Sequence, residues 1–232
     1  MRIDRLLANA GLGTRKEVRK LIKEGRVQVD GEVIHAYGEH IDYNSSLITV
    51  DGYPVHYQPF YYVLLHKPKG YISSTVSEDG APPVTDLIYD YATFKLAPVG
   101  RLDKNTTGVL LLTNDGKLTH RLLSPKHHVD KVYEAIVDKT LSPELIDAFS
   151  KGINVNDEYT SKPARLEIIN ENTARVTLQE GKFHQVKRMF LALGYKVLEL
   201  QRIKFAFLHV DDLHIGEYRE LSKDEIAKLR NY

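Results

Sequence analysis

Residues 100–108 read Gly-Arg-Leu-Asp-Lys-Asn-Thr-Thr-Gly and lead straight into the apolar run Val109-Leu110-Leu111-Leu112. The run is typical of a buried strand, and the segment before it is a polar loop that begins and ends with glycine. A loop anchored on such a strand can hold one short acidic side chain, Asp103, out of the core in a fixed direction. The alternative is a surface turn in which the aspartate only hydrogen-bonds its own backbone. The loop alone leaves both interpretations open.

The bulk composition bounds the class of protein. A chain of 232 residues, 42% of them hydrophobic, can bury a sizeable core in one or two domains. The 32 lysines and arginines nearly balance the 31 aspartates and glutamates, so any interaction with nucleic acid must depend on local charge. Cysteine is absent, which excludes disulfides, thiolate nucleophiles and cysteine-ligated zinc, and the ten histidines show no metal-binding spacing. We therefore expect no cofactor and no metal.

The amino terminus goes directly into a charged amphipathic pattern. No apolar run approaches the roughly 18 residues that a membrane span needs. We expect a cytoplasmic protein without a membrane partner, acting as a monomer.

Two short helices are predicted at the start of the chain. The first carries apolar residues at i, i+3, i+4 and i+7, namely Ile3, Leu6, Leu7 and Ala10, and Gly11 ends it. Thr14 and Glu17 have capping-box spacing at the start of the second helix, which ends at Gly25. Its apolar stripe consists of Val18, Leu21 and Ile22.

Basic side chains share one face of the second helix, away from the apolar stripe: Arg15, Lys16, Arg19, Lys20 and Lys23. A charge run on a helix is usually only a solvated face, but a one-sided row also suits a row of phosphates. Asp-Gly pairs at 30–31 and 51–52 then predict two hairpins. The order of helix, basic helix and the strand Gly-Arg-Val-Gln-Val-Asp-Gly at 25–31 resembles the S4 RNA-binding domain over about the first 55 residues.

A polar, aromatic segment at 56–60 with one proline suits a domain border. We therefore divide the chain into an S4-like RNA-binding domain at 1–58 and a second domain at 59–232. Strands are expected near 61–65, 109–113, 132–137, 164–169 and 174–178, and helices near 118–123 and 142–149, the latter capped by Ser142. Because strands and helices do not alternate regularly, the fold class is α+β, with a mixed, largely antiparallel sheet flanked by helices.

Two further segments of the second domain carry polar residues that a core would not require. Lys131 and Tyr133 lie two apart at the start of a strand and share a face. A tyrosine there is more often half-buried core than a functional ring, but an ammonium group beside it is unusual on a core face. Residues 180–194 predict a helix ending at Gly194, with a cationic side formed by His184, Lys187 and Arg188. That side is either an ordinary solvated surface or a counter-ion for a carboxylate elsewhere.

Taken together, these motifs closely resemble the pseudouridine synthases, in the family's order and spacing and behind an S4-like module. The motifs are Gly-Arg-Leu-Asp at 100–103, Lys-Val-Tyr at 131–133 and Glu-Gly-Lys-Phe-His-Gln-Val-Lys-Arg-Met-Phe at 180–190. Residues 124–128 and 162–164 are most similar to the branch that acts on small-subunit (16S) ribosomal RNA, the RsuA type. Two positions depart from the family pattern: His66 replaces the usual asparagine, and Phe-Ala-Phe at 205–207 replaces a glycine-containing turn.

The resemblance implies a reaction and a set of site residues. The enzyme would isomerise a flipped-out uridine of small-subunit ribosomal RNA, free or in an assembling subunit, with no cofactor. Asp103 would be the catalytic carboxylate, Tyr133 the stacking ring, which also helps to remove the C5 proton, and Lys187 the counter-ion, with Arg188 as its alternative. The implied RNA contacts are Arg5, Thr14, Arg15, Lys16, Arg19, Lys20, Arg26, Arg101, Lys131, His184, Gln185 and Arg188.

Two rival functions remain open at this point. One is an S4 module fused to a domain that has lost catalysis and acts as an assembly factor. The other is a nucleoside or glycoside hydrolase, which needs a second, protonated acid. Asp115 is the nearest candidate for that acid, although Thr-Asn-Asp-Gly at 113–116 reads more naturally as a turn.

Overall fold

A computed structural model describes residues 1–156 and 159–232. The chain forms two compact units, one of residues 1–61 with 90–95 and one of residues 62–89 with 96–232. Segment 90–95, which follows the predicted domain border in sequence, thus belongs to the first unit by its contacts. Phe94 of this segment stacks on Tyr61, with ring centroids 4.0 Å apart. None of the described helices is long and apolar enough to cross a membrane.

The first unit contains two helices and a small antiparallel sheet: α1 (Ile3–Asn9), α2 (Arg15–Lys23), β1 (Val27–Val29), β2 (Glu32–Val33), β3 (Ile48–Val50) and β4 (Tyr53–Pro54). The sheet has the order β2-β1-β3-β4. Both predicted helices and both hairpins are confirmed. Asp30 and Asp51 have φ near 52°, each followed by a glycine with positive φ, as two-residue hairpin turns demand.

Apolar burial and a capping box explain why the first unit folds this way. Thr14 Oγ1 accepts from the Glu17 amide at 3.3 Å, and the Glu17 carboxylate accepts from the Thr14 amide at 2.7 Å. This reciprocal pair satisfies amide groups that a helix start leaves open. The helices bury their apolar stripes completely at Ile3, Leu6, Leu7, Val18 and Ile22.

The second unit contains ten strands and four helices among its described residues. The strands are β5 (Tyr62–Lys67), β6 (Ala97–Pro98), β7 (Thr107–Thr113), β8 (Lys131–Val137), β9 (Asn154–Asn156), β10 (Tyr159–Thr160), β11 (Arg165–Ile168), β12 (Thr173–Leu178), β13 (Val197–Phe205) and β14 (Tyr218–Glu220). The helices are α3 (Gly116–Leu123), α4 (Glu144–Lys151), α5 (Gln185–Ala192) and α6 (Lys223–Leu229). Short 3-10 helices occur at Val84–Leu87 and Pro125–His127, and a third, Tyr89–Phe94, runs into the segment that belongs to the first unit.

One large sheet organises the second unit, in the order β11-β12-β8-β13-β7-β5-β14, with β6 paired to β7. Each pairing is antiparallel except that of β13 with β7. The predicted α+β class and the largely antiparallel sheet are confirmed. The strand after the Asp103 loop lies in the interior, since Val109, Leu110, Leu111 and Leu112 are fully buried.

The longest strand, β13, escaped the sequence analysis for a physical reason. Its register against β8 shifts between Val197 and Glu199 and again between Arg202 and Lys204. Each irregularity breaks the alternation of inward and outward side chains by which a strand is recognised in sequence. A smaller expectation was wrong: helix α4 begins at Glu144 with Pro143 at the cap position, so Ser142 does not cap it.

The parallel pairing of β13 and β7 depends on a glycine. Gly108 has a φ of +109° and pairs with Arg202. A Cβ atom added at Gly108 would lie 2.1 Å from the Arg202 carbonyl oxygen. Only glycine combines this φ with such a close backbone approach.

We expect Gly108→Ala to lower the free energy of unfolding by about 2 kcal/mol or more, because it adds both a clash and backbone strain. Urea unfolding measures the change. Gly116→Ala is the matched control, since an added Cβ there meets nothing within 4 Å, and its free energy of unfolding should stay the same or rise. Equal stability of the two variants would show that the two strands can separate without cost.

Candidate active site

The loop before β7 holds Asp103 at the surface, with its side chain 24% exposed. Leu102, which is buried, anchors the loop through Ser73. The Leu102 amide donates to Ser73 Oγ, and Ser73 Oγ donates to the Leu102 carbonyl, both at 2.9 Å. The Thr106 amide then donates to the Asp103 carbonyl at 3.0 Å and closes a turn. The loop is therefore fixed on both sides of the carboxylate.

Lys67 is fully buried beneath the loop and binds backbone carbonyl oxygens of the loop. The ammonium donates to the carbonyl oxygens of Pro68 at 2.9 Å, Asp103 at 3.2 Å, Lys104 at 3.3 Å and Thr106 at 3.0 Å. Burial lowers the pKa of Lys67 to about 8, against the opposing effect of the Asp103 charge. Lys67 was not among the site residues predicted from the sequence. The available signal was a lysine that ends an otherwise apolar strand.

Two side chains from the start of α5 flank the Asp103 carboxylate. Lys187 Nζ lies 3.0 Å from Oδ2 and His184 Nε2 lies 3.5 Å from Oδ1. The buried residues Val186 and Met189 fix the helix below them. His184 immediately precedes the helix with φ +48° and ψ +33°, a left-handed conformation that is unusual for a residue other than glycine. Such strain is found where the surrounding structure requires one orientation.

A partly buried hydrogen-bond cluster, which we call the Glu180 clamp, holds the segment before α5. It consists of Glu180, Gln185 and Tyr159. Glu180 Oε1 accepts from Gln185 Nε2 at 2.5 Å and from the Tyr159 hydroxyl at 2.7 Å. Gln185 Oε1 accepts from the Lys182 amide at 2.9 Å. Burial, together with the hydrogen bond to Glu180, raises the pKa of Tyr159, which keeps this hydroxyl a donor.

Tyr133 and Lys131 both lie on the buried face of β8. Tyr133 is 9% exposed and pairs with Arg202 on β13, which in turn pairs with Gly108, five residues after Asp103. Lys131 donates to the carbonyls of Val129 at 3.1 Å and Gln179 at 3.5 Å, and burial lowers its pKa to about 8. Its ammonium thus has partners within the protein, and its contact with RNA stays a prediction.

Arg202 is a buried cation that the sequence analysis missed. It is 2% exposed, donates through Nε to the Val109 carbonyl at 2.8 Å, and places its guanidinium 5.1 Å from the centre of the Phe205 ring. Ala206, which follows Phe205 in the chain, has φ +54°. This is the position at which the family pattern led us to expect a glycine-containing turn, and the chain makes a left-handed turn there without glycine.

The other predicted RNA contacts of the second unit differ in exposure. Arg101 is exposed, Arg188 is half-buried, and Gln185 is buried in the Glu180 clamp. Asp115 has a structural role: its carboxylate caps α3 by accepting from the Leu118 amide at 3.0 Å, and it accepts from the Tyr62 hydroxyl at 2.9 Å. This contact set favours the turn interpretation of Asp115 over that of a second catalytic acid.

The predicted RNA contacts of the first unit divide into paired and open cations. Arg19 pairs with the buried Asp4 at 2.8 Å, and Arg26 pairs with Asp51 at 2.5 Å. Thr14 is the helix cap. The remaining members, Arg5, Arg15, Lys16 and Lys20, are exposed, and Lys20 forms an ion pair with Glu24 at 3.8 Å.

The site is chemically simple. One carboxylate stands on an anchored loop beside an ammonium and an imidazole, and the described residues hold no group of three or more side chains suited to a metal ion. The side-chain groups at this position are thus one carboxylate with a cation and an imidazole against it. The first unit matches the S4 domain over residues 1–42, and residues 61–192 match RNA pseudouridylate synthase. The chain belongs to the RNA pseudouridylate synthase family, with an amino-terminal S4 domain.

Full-length relatives support this assignment. The chain is 42% identical to an uncharacterised RNA pseudouridine synthase of Bacillus subtilis, covering 99% of this chain and 98% of the relative. It is 40% identical to ribosomal small subunit pseudouridine synthase A of Pasteurella multocida, covering 98% of each. It is 37% identical to ribosomal large subunit pseudouridine synthase B of Bacillus subtilis, covering 99% of this chain and 95% of the relative. The chain is thus an enzyme of the pseudouridine synthase class.

Lys67→Met tests how the Asp103 loop is held. The substitution leaves the loop carbonyls without their shared donor, so we expect the free energy of unfolding at pH 7 to fall by about 1 to 3 kcal/mol. Lys69→Met, at an exposed position two residues on, is the matched control and should change stability little.

The pH dependence of the same pair of proteins gives a second measurement. Since burial lowers the pKa of Lys67 to about 8 from an ordinary value of 10.5, the unfolded chain binds more protons between these two pH values. The stability of the wild type relative to Lys67→Met should therefore rise from pH 8 to pH 10.5. A decrease over this range would mean that the carbonyls favour the ammonium enough to outweigh its burial.

Proposed function

We propose that this enzyme converts a uridine of small-subunit ribosomal RNA into pseudouridine, with Asp103 as the catalytic carboxylate. The observation that carries the proposal is the pairing of an accessible Asp103 with Lys187 at 3.0 Å. Relatives named for both ribosomal subunits match at similar identity, so the choice of subunit rests on residues 124–128 and 162–164. We further propose that the enzyme is cytoplasmic and acts as a monomer.

The reaction needs one carboxylate and no co-reactant. The N1–C1′ bond of uridine breaks, a C5–C1′ bond forms, C5 loses a proton and N1 gains one, so atoms and electrons balance within the nucleotide. Asp103 would act by attack at C1′, by assisting departure of the base, or by attack on the uracil ring, and all three routes use the same oxygen atoms.

Lys187 and the backbone of the loop would position this carboxylate. The Lys187 ammonium holds Oδ2, and the turn from Asp103 to Thr106 holds the backbone. A carboxylate that is already aimed needs little rearrangement when the nucleotide arrives. Tyr133 would stack on the flipped uracil, which offsets part of the unstacking cost of a few kcal/mol. The hydroxyl of Tyr133 would also help to remove the C5 proton.

The S4 domain would hold the RNA by its phosphates. Arg15 and Lys16 are exposed on the basic face of α2, whereas Arg19 and Arg26 carry ion pairs within the domain. Contacts to phosphates fix register without reading sequence. The specificity for one uridine would therefore come from the shape of the folded RNA and from the second unit.

The subunit assignment is tested by pseudouridine mapping. Small-subunit and large-subunit transcripts are incubated separately with the enzyme and then mapped, together with ribosomal RNA from cells with and without the gene. We expect one modified uridine in small-subunit RNA. Modification confined to the large-subunit transcript would replace the proposed substrate and leave the reaction intact.

Asp103→Asn should lower single-turnover isomerisation by more than about 1,000-fold, because the amide cannot act as a nucleophile. Its affinity for RNA should stay close to that of the wild type. Asp211→Asn, at an exposed position, is the control and should retain full activity. Product analysis adds a further check, since a hydrolase would release free uracil and an isomerase keeps the base attached. Turnover by Asp103→Asn would refute the catalytic assignment.

Arg15→Ala combined with Lys16→Ala should weaken RNA binding and flatten its salt dependence. Loss of two phosphate contacts lowers the slope of log affinity against log salt concentration by about 2. Lys151→Ala, an exposed lysine on α4, is the control and should keep the wild-type slope. An unchanged slope in the double variant would show that this face of α2 is only solvated.

A further inference from the structure

We propose that Phe183 and His184 form a stacking platform for an RNA base that flanks the target uridine. This inference rests on the proposed function and adds a binding subsite to it. Phe183 is 72% exposed, although the residues that follow it are buried or half-buried. Burying this ring on a base would remove apolar surface from water, and the ring stacks on His184, which contacts the Asp103 carboxylate.

The geometry of the two rings is that of a stack with one open face. Their centroids lie 3.8 Å apart and their planes differ by 17°. The inner ring, His184, places Nε2 3.5 Å from Asp103 Oδ1. The outer ring, Phe183, keeps the other face open, as its exposure shows. A base laid on that face would continue the stack away from the carboxylate, next to the nucleotide that occupies the site.

The platform is built in advance of binding. The left-handed conformation of His184 sets the direction of its ring, and the Glu180 clamp ties the segment on both sides of Phe183. Because the segment is already ordered, a base that stacks there loses little affinity to the ordering of protein side chains. A flexible surface loop would carry no such advantage.

The charges around the platform select nucleic acid as the occupant. Lys182 precedes Phe183 and is exposed, with its ammonium 5.9 Å from the centre of the Tyr159 ring, and Arg188 lies one turn further along α5. The acidic groups nearby already have partners: Asp103 binds Lys187, and Glu180 belongs to the clamp. An aromatic face among cations is how proteins bind single-stranded RNA without reading its sequence.

The platform can be observed directly because the chain contains no tryptophan. Phe183→Trp introduces a single fluorophore whose emission falls when a base stacks on it. Ile169→Trp is the control, at an exposed position at the opposite end of β12 from the segment that carries Phe183. Both variants are titrated with single-stranded polyuridylate while RNA anisotropy records binding. We expect quenching only in Phe183→Trp; no quenching there, or no binding, would overturn the proposal.

Kinetics give the second measurement. Phe183→Leu should raise KM for the ribosomal transcript about 5- to 100-fold, the loss expected from one base stack, with kcat largely retained. Phe183→Tyr keeps the aromatic face and should behave like the wild type. If the wild type modifies neither ribosomal transcript, the proposed function fails and the polyuridylate titration alone decides the platform. If the wild type works and Phe183→Leu keeps its KM, the platform is refuted and the function stands.

Discussion

The conformation of the Asp103 loop depends on the ammonium of Lys67. A short loop that turns sharply before a buried strand directs several carbonyl oxygens inward, and these need donors. Three of them, from Asp103, Lys104 and Thr106, meet on one ammonium, which also donates to the carbonyl of Pro68. The arrangement allows the loop to be tight without regular secondary structure. Because Lys67 binds the backbone carbonyl of Asp103, the carboxylate is not needed to hold the loop, and it is partly exposed.

The electrostatics of the site follow from where its cations lie. Lys67 and Arg202 are buried and bind carbonyl oxygens, whereas Lys187 reaches the Asp103 carboxylate from the surface side. The two buried cations bind backbone carbonyl oxygens, and the half-buried Lys187 binds the Asp103 carboxylate. Their combined positive charge also suits the approach of a phosphate chain, although the protein as a whole is nearly neutral, with a formal net charge of +1.

Local signals explain which parts of this structure were predictable. The helices of the first unit and both Asp-Gly hairpins follow from capping residues and periodicity within a few positions. The loop of Asp103 and the cationic side of α5 could be identified separately, but the contact of Asp103 with Lys187 spans 84 residues and was expected only through family resemblance. Strand β13 was missed because its bulges remove the alternation, and Lys67 because its partners are backbone atoms brought together by the fold.

Because segment 90–95 belongs to the first unit, this chain cannot be divided into its two units by a single cut. The backbone passes between the two units three times, after residues 61, 89 and 95, so the first unit consists of two separate pieces of sequence. A cut at residue 61 would separate Phe94 from the Tyr61 ring. It would also separate Thr93 from its neighbour Gly11. A fragment that keeps all the contacts of the first unit would therefore have to combine two separate pieces of sequence.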